Sequence, residues 1–163
     1  QTKALIMTAS EEVESLAYLV ESLPGVDFHV AALTNMGPKL TNLSSIPNLH
    51  LHPNCSEESF QELLASCSLY LDLNHGQEVL AASMRAIESG QLILGLNTTV
   101  HYESYKKLPT VLASSDLLLE KIKDVLQSPE EFTNRIEEQR VILQLARKED
   151  LLAFFNCRGE ETK

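Results

Sequence analysis

The stretch LYLDLNHGQEVLAASMRAIESGQLILGL, residues 69–96, decides the fold of this chain. Residues 69–73 form an apolar run that is typical of a buried strand, and the polar turn 74–76 interrupts it. Residues 78–89 then carry the apolar spacing of a helix, and residues 92–96 return to an apolar strand. A strand, a polar turn, a helix and a strand in this order predict one unit of a parallel α/β sheet.

The same alternation extends through the rest of the chain. It predicts further strands at residues 4–7, 28–33, 49–52 and near 110–113, and a helix that Ser10 caps before Glu11 and Glu12. Ser128 and Pro129 open a long final helix that runs to about residue 155. We therefore expect an α/β fold with a doubly wound parallel sheet of about six strands and a long C-terminal helix. The predicted division is a Rossmann-like domain over residues 1–127, then the C-terminal helix and a solvated tail over residues 128–163.

Composition excludes several classes of function. The formal net charge of -10 disfavours nucleic acid as a partner, because phosphate contacts need clustered Lys and Arg. The three cysteines, Cys55, Cys67 and Cys157, are scattered, which indicates reduced thiols in a cytoplasmic domain, with Cys55 and Cys157 partly buried. Neither a signal peptide nor an apolar run of membrane-spanning length is visible. The absence of an initiator Met suggests a fragment of a longer protein.

Parallel sheets bind ligands beyond the carboxyl ends of their strands, so the loops at those ends contain the candidate site. The candidate ligand-binding residues are Thr8, Ser10, Thr34, Asn74, His75, Gly76 and Gln77. Two interpretations of residues 74–76 stay open. They form a polar floor for a peptide or a sugar, with Gly76 allowing close backbone approach, or they form an N-cap and a tight turn in which His75 bonds locally. Helix capping is the alternative for Thr8 and Ser10.

Three stretches carry a resemblance to a known family. FHVAALTNMGPKL at residues 28–40, PNLHLHPN at residues 47–54 and the stretch 69–96 resemble the C-terminal Rossmann-type half of GT-B glycosyltransferases. The chain is most similar there to the stabilising, chaperone-like subunit of the two-component O-GlcNAc transferase of accessory Sec systems. The resemblance covers roughly residues 5–126. It implies that the N-terminal half of the parent protein is absent from this sequence.

The resemblance also implies partners and a location. That subunit pairs with a catalytic glycosyltransferase subunit, and the pair glycosylates serine-rich repeat adhesin polypeptides of Gram-positive bacteria. The expected location is the cytoplasm, with peripheral association at the inner face of the cell membrane through the complex only. The final helix carries more apolar residues than one packed face requires. In the GT-B fold this helix crosses back to the N-terminal domain, and simple packing on the sheet is the open alternative.

The resemblance further implies that the donor site is degenerate. Retaining GT-B enzymes carry two glutamates eight positions apart, one for the donor sugar and one for the nucleotide ribose. The matching positions here are Gln77 and Arg85, and a guanidinium has no acceptor for a ribose hydroxyl. A sugar nucleotide also needs cationic partners for its diphosphate, whereas Lys39 is the only Lys or Arg between residues 4 and 84. We expect little or no affinity for UDP or UDP-GlcNAc.

Other chemistry finds little support in the sequence. His50 and His52 lie on one face of a strand, but no Asp, Glu or Cys joins them at the spacing of metal ligands. No nucleophile elbow is present. We therefore predict no catalytic residue, no metal and no cofactor.

Three hypotheses for function stay open. The first is a non-catalytic stabilising and acceptor-binding subunit of a protein O-GlcNAc transferase complex. The second is an active GT-B glycosyltransferase domain that binds a UDP-sugar in an unusual pocket, and the third is a nucleotide-sugar epimerase-like domain with the same fold.

Overall fold

The computed structural model describes the backbone of residues 1–161 and the side chains of residues 1–157. Its centre is a six-stranded sheet in which all the strand pairings are parallel. The strands are β1 (Thr2–Met7), β2 (Val26–Ala31), β3 (Leu49–His52), β4 (Leu69–Asp72), β5 (Leu92–Leu96) and β6 (Val111–Leu112). Their order across the sheet is β3-β2-β1-β4-β5-β6, so the direction of winding reverses between β1 and β4. The prediction of a doubly wound parallel sheet of six strands is confirmed.

Helices cover both faces of this sheet. They are α1 (Leu16–Ser22), α2 (Pro38–Thr41), α3 (Glu57–Ser66), α4 (Ala82–Glu88), α5 (Ser115–Val125) and α6 (Pro129–Glu161), with a 3-10 helix at Glu103–Lys107. Ser56, Ser114 and Ser128 each accept a hydrogen bond from the backbone N–H three residues ahead, at 3.1, 3.3 and 3.1 Å. Each hydroxyl satisfies one of the unpaired N–H groups at a helix start, which explains where α3, α5 and α6 begin.

The apolar core consists of one cluster on each face of the sheet. The first contains Ile6 and Phe28 and packs under α1 and α5. The second contains Leu5 and Tyr70 and packs under α3 and α4. Leu5 and Ile6 fall in different clusters because successive side chains of a strand point to opposite faces. Burial on both faces accounts for the continuous apolar runs of β1, β4 and β5.

Helix α6 is tied to the sheet through the buried side chain of Gln139. Its Oε1 accepts the Ile93 N–H at 2.7 Å, and its Nε2 donates to the Gln91 carbonyl at 3.0 Å. Strand β6 pairs only with Gly95 and Leu96, so the Gln139 amide satisfies the backbone of the chain at the start of β5, where β6 does not reach.

Beyond Ala146 the described side chains of α6 are exposed, and they include several large apolar residues: Leu151, Leu152, Phe154 and Phe155. This agrees with the expected excess of apolar surface on the final helix. The expected solvated tail concerns residues 158–163, whose side chains lie outside the described residues. The division at residue 127 stays a prediction. Within the residues that the structure describes, none of the helices is long and apolar enough to cross a bilayer.

Three helix boundaries differ from the predicted ones, and the strand expected at residues 28–33 is β2, which spans Val26–Ala31. The first helix starts at Leu16 and not after Ser10, because residues 12–14 pair with the loop after β4 and Ser15 has a left-handed φ of 62°. The helix predicted at residues 78–89 starts at Ala82, since Leu80 and Ala81 have φ of 53° and 51°. The final helix was expected to end near residue 155, but its backbone continues to Glu161, and Cys157 is exposed.

Candidate functional site

The candidate site lies at the carboxyl ends of β1 and β4, where the winding of the sheet reverses. The loop between β1 and α1 crosses this point and pairs with the loop after β4. The Glu14 N–H donates to the Leu73 carbonyl at 2.9 Å, and the His75 N–H donates to the Glu12 carbonyl at 3.0 Å. Val13 and Asn74 form an antiparallel bridge between these two bonds. The crevice in which such sheets usually bind ligands is therefore spanned by the protein's own backbone.

Thr8 and Asn74 use their polar side-chain atoms inside the protein. They are 1% and 2% exposed, and the Thr8 hydroxyl donates to Asn74 Oδ1 at 2.8 Å. The same oxygen accepts the Gly76 N–H at 2.7 Å, and Asn74 Nδ2 donates to the Gln77 carbonyl at 3.0 Å. These contacts match the tight-turn interpretation of residues 74–76. Asn74 is not an N-cap, however, because α4 begins after Ala81.

His75 and Gln77 are the exposed members of the loop 74–77. His75 Nε2 lies 2.7 Å from Glu14 Oε2, so its partner is 61 residues away in sequence and not local. A Cβ built at Gly76 would lie 3.1 Å from the Ala9 Cβ and 3.0 Å from Asn74 Oδ1. Glycine at this position lets the two loops approach each other closely.

Ser10 and Thr34 line a different feature, a small cleft at the ends of β1 and β2. Its volume is about 110 Å³, and its lining does not include the loop 74–77. Ligand pockets for drug-sized molecules are usually about 300–1,000 Å³. Of the seven predicted residues, two line this cleft, four form the loop 74–77 beside it, and Thr8 is buried against Asn74. The cleft is too small to enclose a sugar nucleotide.

The cleft is acidic. The Glu11 carboxylate lies against Gly37, where a Cβ would collide with it, and it accepts the Lys39 backbone N–H at 3.2 Å. The Lys39 ammonium forms an ion pair with Glu12. The one cation expected near these loops is thus already paired, and a phosphate entering the cleft would meet the Glu11 carboxylate.

Arg85 points to α3. Its guanidinium forms an ion pair with Glu57 and lies 4.7 Å from the centre of the Phe60 ring. These contacts give Arg85 a role in joining α4 to α3.

A buried ion pair that the sequence analysis did not identify supports the loop 74–77. Asp72, at the end of β4, is 1% exposed, and His101 Nδ1 lies 2.6 Å from its Oδ1. The His101 backbone N–H donates to Asp72 Oδ2 at 2.9 Å, and His101 Nε2 lies 2.7 Å from the Gly76 carbonyl. The hydrogen bond to Asp72 outweighs burial and raises the pKa of His101 to about 9. The sequence could have indicated Asp72, because it is an acidic residue in an otherwise apolar strand. No neighbouring residue indicates that its partner is His101, 29 positions later.

A second polar network occupies the start of α4. The Ser83 hydroxyl donates to Glu78 Oε2 at 2.5 Å, and the Ser83 N–H donates to Glu78 Oε1 at 3.2 Å. The Tyr105 hydroxyl lies 2.8 Å from Ser83 Oγ, and burial raises the pKa of Tyr105. The Glu78 side chain therefore caps the start of α4. Because it accepts the Ser83 N–H, this N–H is not free to bind a ligand.

Three histidines stack on β2 and β3. The rings of His29 and His50 are 4.7 Å apart between centroids, and His29 Nδ1 lies 2.9 Å from His52 Nε2. Burial is the main cause that lowers the pKa of His29 to about 4, and it also lowers the pKa of His52. Over the described part of the chain, no three His, Cys, Asp or Glu side chains are grouped as they would be around a metal ion.

Comparison with known proteins identifies relatives of this chain. The family model described as GftB/GlyA-F C-terminal domain matches residues 4–139. A relative from Streptococcus pneumoniae serotype 4 is the stabilizing protein GtfB of the UDP-N-acetylglucosamine–peptide N-acetylglucosaminyltransferase. It is 37% identical over 138 residues, which are 83% of this chain and 31% of that protein.

Two solved structures show the same architecture. A crystal structure of the GtfA/B complex bound to UDP and GlcNAc matches with a TM-score of 0.80 and 34% identity, over 87% of this chain and 32% of that one. The glycosyltransferase GlyE of Streptococcus pneumoniae TIGR4 matches with a TM-score of 0.66 and 28% identity, over 75% and 31%. This chain therefore spans about a third of the length of each of these three proteins.

Proposed function

This chain belongs to the GftB/GlyA-F C-terminal domain family, and we propose that it is the acceptor-binding domain of a non-catalytic stabilising subunit in a protein O-GlcNAc transferase complex. One observation carries the proposal: the backbone bridge between Val13 and Asn74 spans the crevice in which a donor would lie. The resemblance inferred from the sequence is confirmed at the level of the family. The activity and partners of the whole protein are part of the proposal.

The charged groups at the cleft support the proposal that this chain does not bind a sugar-nucleotide donor. A sugar nucleotide carries about two negative charges on its diphosphate, and anion sites supply N–H groups or cations for them. Here the Glu11 carboxylate takes the N–H of Lys39, and the Lys39 ammonium is paired with Glu12. Gln77 and Arg85 stand at the positions that the resemblance assigns to two carboxylates, and Arg85 is paired with Glu57. A diphosphate would have to displace these contacts without gaining a free cation.

The exposed groups at this edge suit a hydroxyl-rich polypeptide better. Thr34, His75 and Gln77 are exposed and Ser10 is half-buried, so hydroxyl, imidazole and amide groups are offered to a ligand. A Ser- and Thr-rich chain supplies hydroxyls and peptide groups that can bond to them, and it carries no phosphate that Glu11 would repel. We propose that the acceptor is the serine-rich repeat region of an adhesin and that the partner is a catalytic glycosyltransferase subunit.

The proposed complex works in the cytoplasm and reaches the inner face of the membrane through its other parts. The formal net charge of -10 makes this chain a poor direct partner for an anionic lipid surface or for nucleic acid.

The second candidate function is an active GT-B domain that binds a UDP-sugar. The observation that favours it is the match to GlyE, which is named a glycosyltransferase. In this alternative the loop 8–15 moves away from the loop 74–77 when the donor arrives. The two backbone bonds and the bridge between these loops would then have to break.

A transfer assay separates the two candidates. Radiolabelled GlcNAc is offered with a Ser-rich acceptor peptide to the full-length protein alone, to the catalytic subunit alone, and to both together. We expect transfer that requires the catalytic subunit and increases when the full-length protein is added. Strong transfer by the full-length protein alone would eliminate the proposal in favour of the active enzyme, and no increase on mixing would eliminate the stabilising role.

A further inference from the structure

We propose that His101 is a positioning residue for the loop 74–77: held by the buried carboxylate of Asp72, its protonated ring fixes the Gly76 carbonyl and so keeps this loop in the shape that binds the acceptor. The inference rests on the proposed function, because it concerns the same loop. His101 lies in the segment after β5, outside the set of residues that the sequence predicted for the site.

The contacts of the ring require the protonated form. His101 Nδ1 lies 2.6 Å from Asp72 Oδ1, and Nε2 lies 2.7 Å from the Gly76 carbonyl oxygen. A carboxylate and a carbonyl oxygen only accept hydrogen bonds, so both ring nitrogens must donate. A neutral imidazole has a single N–H and would lose one of the two bonds.

The support beneath the ring is rigid. The Thr99 hydroxyl donates to the Asp72 carbonyl at 2.7 Å, and the His101 N–H donates to Asp72 Oδ2 at 2.9 Å. A Cβ built at Gly95, which pairs with Asp72 in the sheet, would lie 2.9 Å from the Asp72 carbonyl oxygen. The segment that carries His101 is therefore fastened to the end of β4 at several points, while the loop 74–77 rests on the ring.

On its other side the loop 74–77 is held at its start, by the backbone bonds to residues 12–14, but less firmly at its end. Leu80 and Ala81, which follow it, have left-handed φ and lie outside any helix or strand. Asn74 holds the inner part of the turn through Thr8 and Gly76. Without the bond from His101, the Gly76 carbonyl loses its contact on the β5 side. The exposed side chain of Gln77 then loses a fixed position, whereas His75 keeps its bonds to Glu12 and Glu14.

Charged groups around the ring favour the imidazolium. Asp72 faces it from β4, and Glu78 faces it from the loop before α4. The hydrogen bond to Asp72 is the largest influence, and burial opposes it. The net effect of these influences is to raise the pKa of His101 to about 9. The loop should therefore keep its shape at neutral pH and lose the Gly76 bond as pH rises through about 9.

Two substitutions separate positioning from stability. In His101→Asn the side-chain amide reaches the place of Nδ1 and keeps the bond to Asp72. In His101→Gln the longer side chain reaches the place of Nε2 and keeps the bond to Gly76. Both variants leave Asp72 without a cation, so both should lose stability, and His101→Gln should lose more because Asp72 Oδ1 also loses its hydrogen bond. Only His101→Asn should lose the support of the loop.

The test measures binding of a fluorescent Ser-rich peptide to the full-length protein in complex with the catalytic subunit, from pH 7 to pH 10. Wild-type affinity should be constant near neutral pH and fall through about pH 9. His101→Asn should bind about tenfold more weakly at pH 7, the loss typical of one charge-assisted hydrogen bond. His101→Gln should bind within about threefold of wild type and show no fall near pH 9. Equal losses in the two variants, or a wild-type profile that is flat across this range, would overturn the inference.

Hydrogen exchange at pH 7 provides a readout that does not depend on peptide binding. Amides of residues 75–78 should exchange faster in His101→Asn than in His101→Gln, although thermal melting should show His101→Asn to be the more stable of the two. If wild-type protein binds no Ser-rich peptide but the exchange rates differ in this way, the proposed function fails and the positioning role stands. If the peptide binds and the exchange rates of the two variants are the same, the positioning role fails and the proposed function stands.

Discussion

Val13 and Asn74 form an antiparallel bridge across the one point of the sheet where parallel winding reverses. The backbone bonds on either side of it, from Glu14 to Leu73 and from His75 to Glu12, measure 2.9 and 3.0 Å. This arrangement uses N–H and carbonyl groups that an open crevice would offer to a ligand. The edge of the sheet at this point is therefore closed by the protein's own backbone.

The closed crevice and the acidic cleft predict that UDP-GlcNAc does not bind to this chain. Isothermal titration of the full-length protein with UDP-GlcNAc should give no heat beyond that of dilution, because the diphosphate meets Glu11 and finds Lys39 already paired with Glu12. The catalytic subunit, titrated in the same way, serves as the positive control. A dissociation constant in the low micromolar range for the full-length protein would instead favour the active glycosyltransferase.

His75 and Asn74 should respond differently to alanine, although they are neighbours. His75→Ala should change the free energy of unfolding by less than about 0.5 kcal/mol, since its contact with Glu14 is exposed. It should still weaken binding of the Ser-rich peptide severalfold. Asn74→Ala should cost about 1–3 kcal/mol of stability, because it leaves the Gly76 N–H and the Gln77 carbonyl without their partner.

Chemical denaturation and peptide binding, measured on both variants, test this difference. Asn134→Ala, an exposed residue of α6, is the control and should match wild type in both measurements. Equal stability of the two loop variants would show that the buried contacts of Asn74 contribute nothing, and unchanged peptide binding in His75→Ala would remove this side chain from the proposed acceptor site.

The alternation of strands and helices was predictable because it depends on local apolar spacing. The apolar runs of β1, β4 and β5 and the serine caps of α3 and α6 are all readable from neighbouring residues. The start of the first helix was predicted wrongly because it depends on a contact between residues that are distant in sequence. Ser10, Glu11 and Glu12 have the composition of a helix start, but the backbone of Glu12 bonds to His75, and this tertiary contact overrides the local preference.

The candidate site was less predictable than the fold for the same reason. The sequence predicted that Thr8 and Asn74 lie in loops at the same edge of the sheet. It could not show that these two side chains, 66 positions apart in sequence, are buried and bond to each other. Asp72 ends β4 and pairs with Gly95, and the turn that follows β5 brings His101 back to Asp72. Register between distant strands is not encoded in local spacing.

Acid should destabilise this domain through His29. Burial, with His50 and His52 nearby, lowers the pKa of His29 to about 4, whereas an unfolded histidine has a pKa near 6.5. Between these values the unfolded state binds the proton that the folded state excludes. The contribution of His29 to stability is therefore present above about pH 6.5 and is lost as pH falls through about 4.

The substitution His29→Phe keeps a ring in the stack and removes the titration. Urea midpoints at pH 7, 6 and 5 should fall less steeply in this variant than in wild type, while Lys3 and Asp27, the other charged groups beside the ring, remain in both. Ser45→Ala, at an exposed loop position, is the control and should follow the wild-type curve. Parallel curves for His29→Phe and wild type would show that His29 does not set the acid sensitivity.

The buried hydrogen bonds of Gln139 predict that replacing its amide with an apolar group of similar volume lowers the stability of the protein. In Gln139→Leu the Ile93 N–H and the Gln91 carbonyl lose their partner in a buried setting, and β6 is too short to replace it. The free energy of unfolding should fall by about 2 kcal/mol or more, since each unsatisfied buried group costs about 1–3 kcal/mol. Gln144→Leu is the matched control, because it makes the same change at an exposed position of the same helix and should stay within about 0.5 kcal/mol of wild type. Hydrogen exchange shows where the effect occurs.

Amides of residues 91–96 should lose protection in Gln139→Leu and keep it in Gln144→Leu. If both variants unfold at the wild-type midpoint, the side-chain amide of Gln139 is not what holds α6 against the edge of β5.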